Sequence, residues 1–298
     1  MNWIQSTASA AFGNRGWHSS VVFNGKMWVI GGQGPAVYSN DVWSSPDGIT
    51  WTQVLAHNAS PGPNQFTGRY SHASVVFNGL MWVIGGSSLS GSLNDVWSSP
   101  DGITWTQVLA DNASPGVNQF KQVYGHTVLA FNSLLWVLAG NDGNYKSAWS
   151  SPDGITWTKA TGALPVSRML HSSVVYNSLM WVLAGSSNLA NGDNRVYYTF
   201  DSGVWTQAPA LAPFPNREYQ SAVTFNNFMW VLGGAASSAA SPQNDVWYSS
   251  DGATWIQPNV TTPFPAREAH TSVVFNSAMW VIGGFNGGST TADVWHSP

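Results

Sequence analysis

Short apolar blocks separated by polar turns recur along this chain at a spacing that suits strands rather than helices. Residues 15–53 set the pattern. Ser19-Ser-Val-Val-Phe23 leads to the pair Asn24-Gly25, then to Met27-Trp-Val-Ile30 closed by Gly31-Gly32. A polar loop follows, then Asp41-Val-Trp-Ser-Ser45, the turn Pro46-Asp-Gly48 and Trp51-Thr-Gln-Val54. Each block is a few residues long and bounded by glycine, proline, asparagine or aspartate, as strands are. Asn24-Gly25 suits a two-residue hairpin because both residues can take positive φ. Pro46-Asp-Gly48 suits a second tight turn. The spacing predicts a four-stranded antiparallel meander.

The meander repeats. The phrase around Trp28 returns at Trp82, Trp136, Trp181, Trp230 and Trp280, in steps of 54, 54, 45, 49 and 50 residues. A period of about 50 with this content belongs to propeller blades and not to helical solenoids. In the second strand, Met27 and Val29 point one way and Trp28 and Ile30 the other, so both faces are apolar. A sheet apolar on both faces must be covered on both, as blades packed around an axis are. One buried tryptophan removes roughly 150–250 Å² from water, on the order of 4–6 kcal/mol gross. Packing between blades therefore explains the tryptophans without a ligand.

The units span about 15–53, 69–107, 123–159, 168–207, 217–257 and 267–298. The last lacks a fourth strand, and Asn2-Trp-Ile-Gln5 matches Thr254-Trp-Ile-Gln257. An N-terminal strand that completes the last blade would close the ring and remove a free edge. The expected fold class is all-β: a single domain over 1–298, a six-bladed propeller of four-stranded antiparallel blades.

These motifs resemble the kelch repeat. The carriers are the double glycines (Gly31-Gly32, Gly85-Gly86, Gly233-Gly234, Gly283-Gly284), the third-strand aromatics (Trp43, Trp97, Trp149, Tyr197, Trp247, Trp295) and the fourth-strand tryptophans (Trp51, Trp105, Trp157, Trp205, Trp255). Two units depart, with Ala139-Gly140 and Ala184-Gly185. The resemblance implies a β-propeller and leaves activity open, since the fold hosts enzymes, glycan binders and interaction platforms. Ser45-Pro-Asp-Gly-Ile-Thr-Trp51 also looks like the Asp-box hairpin of sialidase-type propellers, one residue shorter. An Asp-Gly turn capping a hairpin accounts for it.

Composition narrows the picture. Charged residues make up 8% of the 298 residues and the formal net charge is −4, against about 25% charged in an ordinary domain. With many aromatics this argues against disorder. It leaves no footprint for nucleic acid or an anionic membrane. The start carries no pattern of a signal peptide, and no apolar run reaches the roughly 18 residues of a membrane span. The chain has no cysteine, hence no disulfide and no thiolate site. Compartment stays open, no cofactor is indicated, and a monomer is expected.

Candidate chemistry clusters where the first strand begins. Arg15, Arg69, Arg168, Arg217 and Arg267 recur there, with Val123 in the third unit. Left unpaired, they would form an anion-attracting rim at one channel mouth and would be the expected ligand-binding residues. The partner would be a protein, peptide or glycan with anionic groups. Asp41, Asp95, Asp245 and Asp293 start the third strands of units one, two, five and six, whereas unit three has Ser147. Joint loss in unit three favours an Arg–Asp pair. In unit four Arg195 stands at that place, with Asp193 near.

Three residues after each arginine position comes His18, His72, His126, His171 or His270, with Gln220 in unit five. The odd offset turns these side chains to the opposite strand face, toward the neighbouring blade, so they point to hydrogen bonding and not to a metal. Glu218 and Glu268 each follow a ring arginine. They are solvated rim residues, or weak candidates for general acid/base work beside a bound sugar acid. Kelch propellers that epimerise sialic acid supply that alternative by resemblance only. The expectation is a non-catalytic kelch-like scaffold that binds through the face bearing its second-to-third loops (33–40, 87–94, 141–146, 186–194, 235–244, 285–292). The alternatives are a sugar-acid enzyme and an engineered scaffold without a natural ligand.

Overall fold

The computed structural model describes residues 1–187, 192–201, 203–236 and 241–298. All regular structure among them is β, in antiparallel meanders that repeat the sequence units. In the first blade, Ser19–Phe23, Lys26–Gln33, Tyr38–Ser45 and Thr52–Leu55 pair in chain order. The first strands of neighbouring blades touch one another and so surround the axis. The molecule is a six-bladed propeller.

Closure follows the sequence expectation. The strand Ile4–Thr7 pairs with Ser289–Ser297, setting Ile4 against His296 and Gln5 against Trp295. The last blade thus takes its outer strand from the start of the chain.

The double glycine has a local cause. Gly31 and Gly32 have φ of 58° and 99° and create a register shift between Ile30 and Gly32. A Cβ on Gly32 would lie 2.6 Å from the Cβ of His18, so glycine is required by both conformation and space. Beyond the shift the ladder resumes, because the backbone groups still need partners. In the second blade it runs on to Ser88 and Gly91. The expected loops are therefore mostly hairpin ends. Parts of two of them, 188–191 and 237–240, lie outside the described residues.

Apolar clusters lie between blades and not within them. Met27, Val29 and Trp51 of blade one pack with Val273, Trp280 and Ile282 of blade six. Each second-strand tryptophan donates its indole N–H to its own hairpin, as Trp28 does to the Phe23 carbonyl at 2.9 Å. Four of these rings, those of Trp28, Trp82, Trp181 and Trp280, cover the turn glycine of the next blade: a Cβ on Gly102 would meet Trp28 at 2.3 Å. The Asp-Gly turn closes on itself, with Asp47 Oδ1 accepting from the Ile49 and Thr50 amides at 2.8 Å. Those bonds hold the Asp47 carboxyl below its ordinary pKa despite some burial. The resemblance to an Asp box thus ends in a capped turn.

Candidate functional site on the loop face

The four residues that lead into each first strand build the axial end of the loop face, each with a separate task. The first is the arginine. Arg15, Arg69, Arg217 and Arg267 grip Asp41, Asp95, Asp245 and Asp293 through two bonds each, all 2.7–2.9 Å. One guanidinium N–H of each also reaches the first carbonyl of the double glycine, Gly31, Gly85, Gly233 or Gly283, at 2.8–2.9 Å. The guanidinium carbon lies 5.0–5.7 Å from the ring centre of Phe12, Phe66, Phe214 or Phe264. The aspartate in turn accepts the indole N–H of Trp43, Trp97, Trp247 or Trp295.

In blade four Asp193 takes the acceptor role from two positions earlier. It pairs with Arg168 at 2.9 Å and with the Arg195 guanidinium, which together hold its pKa at about 2 against the cost of burial. All five ring arginines are buried, none more than 5% exposed. Of the two arrangements the sequence left open, a free rim or Arg–Asp pairs, the structure has the pairs: Arg15, Arg69, Arg168, Arg217 and Arg267 are internal struts. The reason is energetic, since a buried cation without its partner costs several kcal/mol.

The second residue bridges to the segment after the double glycine: Tyr70 to Ser87, Tyr124 to Asn141, Glu218 to Ala235 and Glu268 to Phe285. Its side chain varies among blades, as Gly, Tyr, Tyr, Met, Glu and Glu in chain order. Gly16 occupies the place in blade one, and the Phe285 ring fills the space, 2.1 Å from where a Cβ would stand.

The third residue has left-handed backbone in every blade: Trp17, Ser71, Gly125, Leu170, Tyr219 and Ala269 have φ from 50° to 63°. That turn sends each amide around the axis. The N–H of Trp17 donates to Ala269, Ser71 to Trp17, Gly125 to Ser71, Leu170 to Gly125, Tyr219 to Leu170 and Ala269 to Tyr219, all at 2.7–3.0 Å. Six backbone hydrogen bonds close on themselves.

The fourth residue is the histidine. Nε2 of His72, His171, His270 and His18 meets a hydroxyl of the preceding blade, from Ser19, Thr127, Ser221 and Thr271, at 2.8–2.9 Å. Gln220 substitutes with a bond to the Leu183 carbonyl at 2.9 Å. For His126 the matching position is Ala73, no hydroxyl is offered, and only the Ile84 carbonyl is near. Burial lowers the imidazole pKa values to about 3 for His18, His171 and His270 and about 4 for His126, and takes His72 well below its ordinary value. The imidazoles are neutral hydrogen-bonding groups at pH 7.

On the axis a cavity of about 120 Å³ lies among Trp17, Leu170, Tyr219 and the imidazoles. Trp17 reaches beyond its neighbouring blades to Tyr219, ring centres 6.0 Å apart, and also packs on Tyr70 and Phe285. Tyr38 stacks behind Tyr70 at 4.6 Å. Asn141 donates to the Tyr124 hydroxyl at 2.7 Å. Aromatic groups therefore ring the mouth. Its charge comes from Glu218 and Glu268, both half-buried.

Burial raises the pKa of both carboxyls, and the Glu268 charge adds to the rise at Glu218. Burial and these two carboxylates also push the Tyr219 hydroxyl up. The mouth thus favours neutral or cationic polar groups. Sequence reasoning missed Trp17 and Tyr219. Their signal was available, since the position two after the arginine reads Trp, Ser, Gly, Leu, Tyr and Ala in a chain that otherwise repeats closely.

Comparison with known proteins agrees with this architecture. A description of the kelch-repeats domain of KLHDC2, KLHL20 and DRC7 matches residues 125–297. The kelch motif matches residues 16–44 and 68–98. No curated protein matches significantly. Among solved structures, that of YjhT superposes with a TM-score of 0.75 at 16% identity, covering 97% of this chain and 96% of that one. At that identity the likeness concerns the fold.

Proposed function

This chain belongs to the kelch-repeat family, and from that premise we propose that it is a non-catalytic binding scaffold whose loop-face mouth holds a peptide or glycan segment. One contrast carries the reading. The charges that recur from blade to blade are consumed in Arg–Asp pairs. The side chains that differ between blades gather there: Trp17 and Tyr219 line the mouth, and Tyr70, Tyr124, Glu218 and Glu268 lie close enough to act on the Tyr219 hydroxyl. Variable groups on a rigid frame are the usual means of recognition. The expectation of an anionic partner rested on free arginines; with those paired, the carboxylates favour a neutral or cationic one.

The test is a glycan and peptide array probed with the whole chain, followed by titration of any hit. Tyr219→Ala and the double variant Glu218→Gln with Glu268→Gln should weaken binding at least tenfold without altering the melting temperature much. Binding that survives both would refute the axial mouth as the site. The enzyme alternative draws support from the two raised carboxyl pKa values. Against it stands the lack of a free ring guanidinium to hold a sugar acid's carboxylate. Turnover of a sugar acid, abolished by either Glu→Gln change, would decide for it.

A further inference from the structure

Blade three departs from the repeat in a way that opens a second site. Val123 and Ser147 stand where four other blades carry Arg and Asp, and Ala139 replaces the first glycine of the pair. The ladder responds. The second and third strands are only Leu134–Leu138 and Ala148–Ser151, against nine residues each in the second blade's Leu80–Ser88 and Gly91–Ser99 and in the sixth blade. The ladder stops at Leu138 and Ala148, followed by a single bond from the Ala139 N–H to the Ser147 carbonyl at 2.7 Å. Next to this shortened hairpin lies a groove of about 500 Å³ between the 113–122 loop and blade three, with Trp149 and Asp142 in its wall.

The groups around the groove alternate in character. The Trp149 indole N–H has lost the carboxylate that accepts it in blades one, two, five and six. Ser147 stands there instead, accepting the Asn144 amide at 3.3 Å. Lys121 offers an exposed ammonium. Gln119 and Gln122 use their amide N–H groups on the Ala110 carbonyl and the Asp111 carboxylate, which leaves their carbonyl oxygens as acceptors. Asp142 Oδ1 caps the Asn144 and Tyr145 amides, leaving Oδ2. Two donors, one of them the indole N–H itself, and three acceptors thus line the groove.

We propose that this groove is a saccharide subsite for a neutral, hydroxyl-rich sugar. A ligand anion would meet Asp142 and a ligand cation Lys121, whereas a hydroxyl both donates and accepts and so suits both. The indole supplies the apolar platform against which a sugar ring's C–H face packs. The volume suits a small-ligand pocket. The site is off the axis and does not depend on the mouth described above.

The chain suggests its own test. Val123→Arg with Ser147→Asp rebuilds the pair found in four other blades and gives Trp149 its acceptor back. The whole chain would be screened on an array of neutral hexose and N-acetylhexosamine oligosaccharides beside uronic and sulfated ones, with hits measured by titration calorimetry. Binding to neutral glycans should fall at least tenfold in the double variant and in Trp149→Phe, which keeps an aromatic ring but removes the N–H. It should be unchanged in Ile49→Ala, a change at an exposed position in the tight turn of blade one that lines neither the groove nor the axial mouth. Circular dichroism melts check that each variant folds; were the double variant unfolded, Trp149→Phe and Gln122→Ala would carry the decision. An absence of neutral-glycan binding, a hit confined to acidic glycans, or binding indifferent to these groove variants would overturn the proposal.

Discussion

Removing the charge of Asp95 should expose how the arginine struts work. Arg69 is fully buried and holds Asp95 by two bonds of 2.7 and 2.8 Å. Asp95→Asn keeps the shape but leaves a cation in the interior facing an amide, and the Trp97 N–H loses its charged acceptor. Breaking one partner of a buried pair costs about 3–5 kcal/mol. For a chain of 298 residues the entropy of unfolding is about 0.6 kcal/mol/K, so the melting temperature should fall by roughly 5–8 °C.

The double variant Arg69→Val with Asp95→Ser imports the residues of blade three. It removes both charges together and should cost about 1–2 kcal/mol less than the single change, since no ion is left stranded. Urea denaturation followed by tryptophan fluorescence measures both. A single variant within about 1 kcal/mol of the parent, or a double variant less stable than the single one, would refute the view that the pair answers a burial cost.

Two further outcomes follow from the imidazole ring. Ala73→Ser should supply the hydroxyl that His126 lacks and stabilise the fold by about 0.5–1.5 kcal/mol in the same denaturation assay. Acid should unfold the protein through the histidines. Their folded pKa values lie below the unfolded 6.5, so the unfolded chain binds more protons below pH 6.5. Stability is then full above that pH and falls as pH drops toward about 3–4, by up to about 1.4 kcal/mol per histidine per pH unit. Glu218 and Glu268, with raised pKa values, act in the opposite sense, losing stability as pH rises through those values. His72→Gln, which copies the natural Gln220 of blade five, should make the acid limb of a pH–stability curve shallower by one proton.

Most of the fold was legible because the repeat states each strand several times. The outer strand of the last blade could be read from Asn2 to Gln5 alone, by its likeness to Thr254–Gln257. The arginine's pairing was legible from the joint change to Val123 and Ser147. In blade four it was only half legible, because Asp193 lies two residues before the expected place, which Arg195 occupies.

The histidine's partner blade followed from its odd offset from the arginine. What the sequence hid lies at the residue between them. Alternation presumes extended backbone, yet Trp17 and Tyr219 have left-handed φ of 51° and 58°, which no local residue preference announces. Their side chains could not be placed across the axis from sequence, nor could the groove beside Trp149, which is made by pairing that stops early.

The closed loop of six amides around the axis has an electrostatic consequence. In a helix the peptide dipoles line up and leave partial charge at the two ends. Here the six amides follow one another around a closed circle, so the components of their dipoles in the plane of the ring cancel and the chain of bonds has no free end at which partial charge would collect. The charge at the loop-face mouth is carried by side chains such as Glu218 and Glu268, so exchanging these would change its sign while the ring of amides stays as it is.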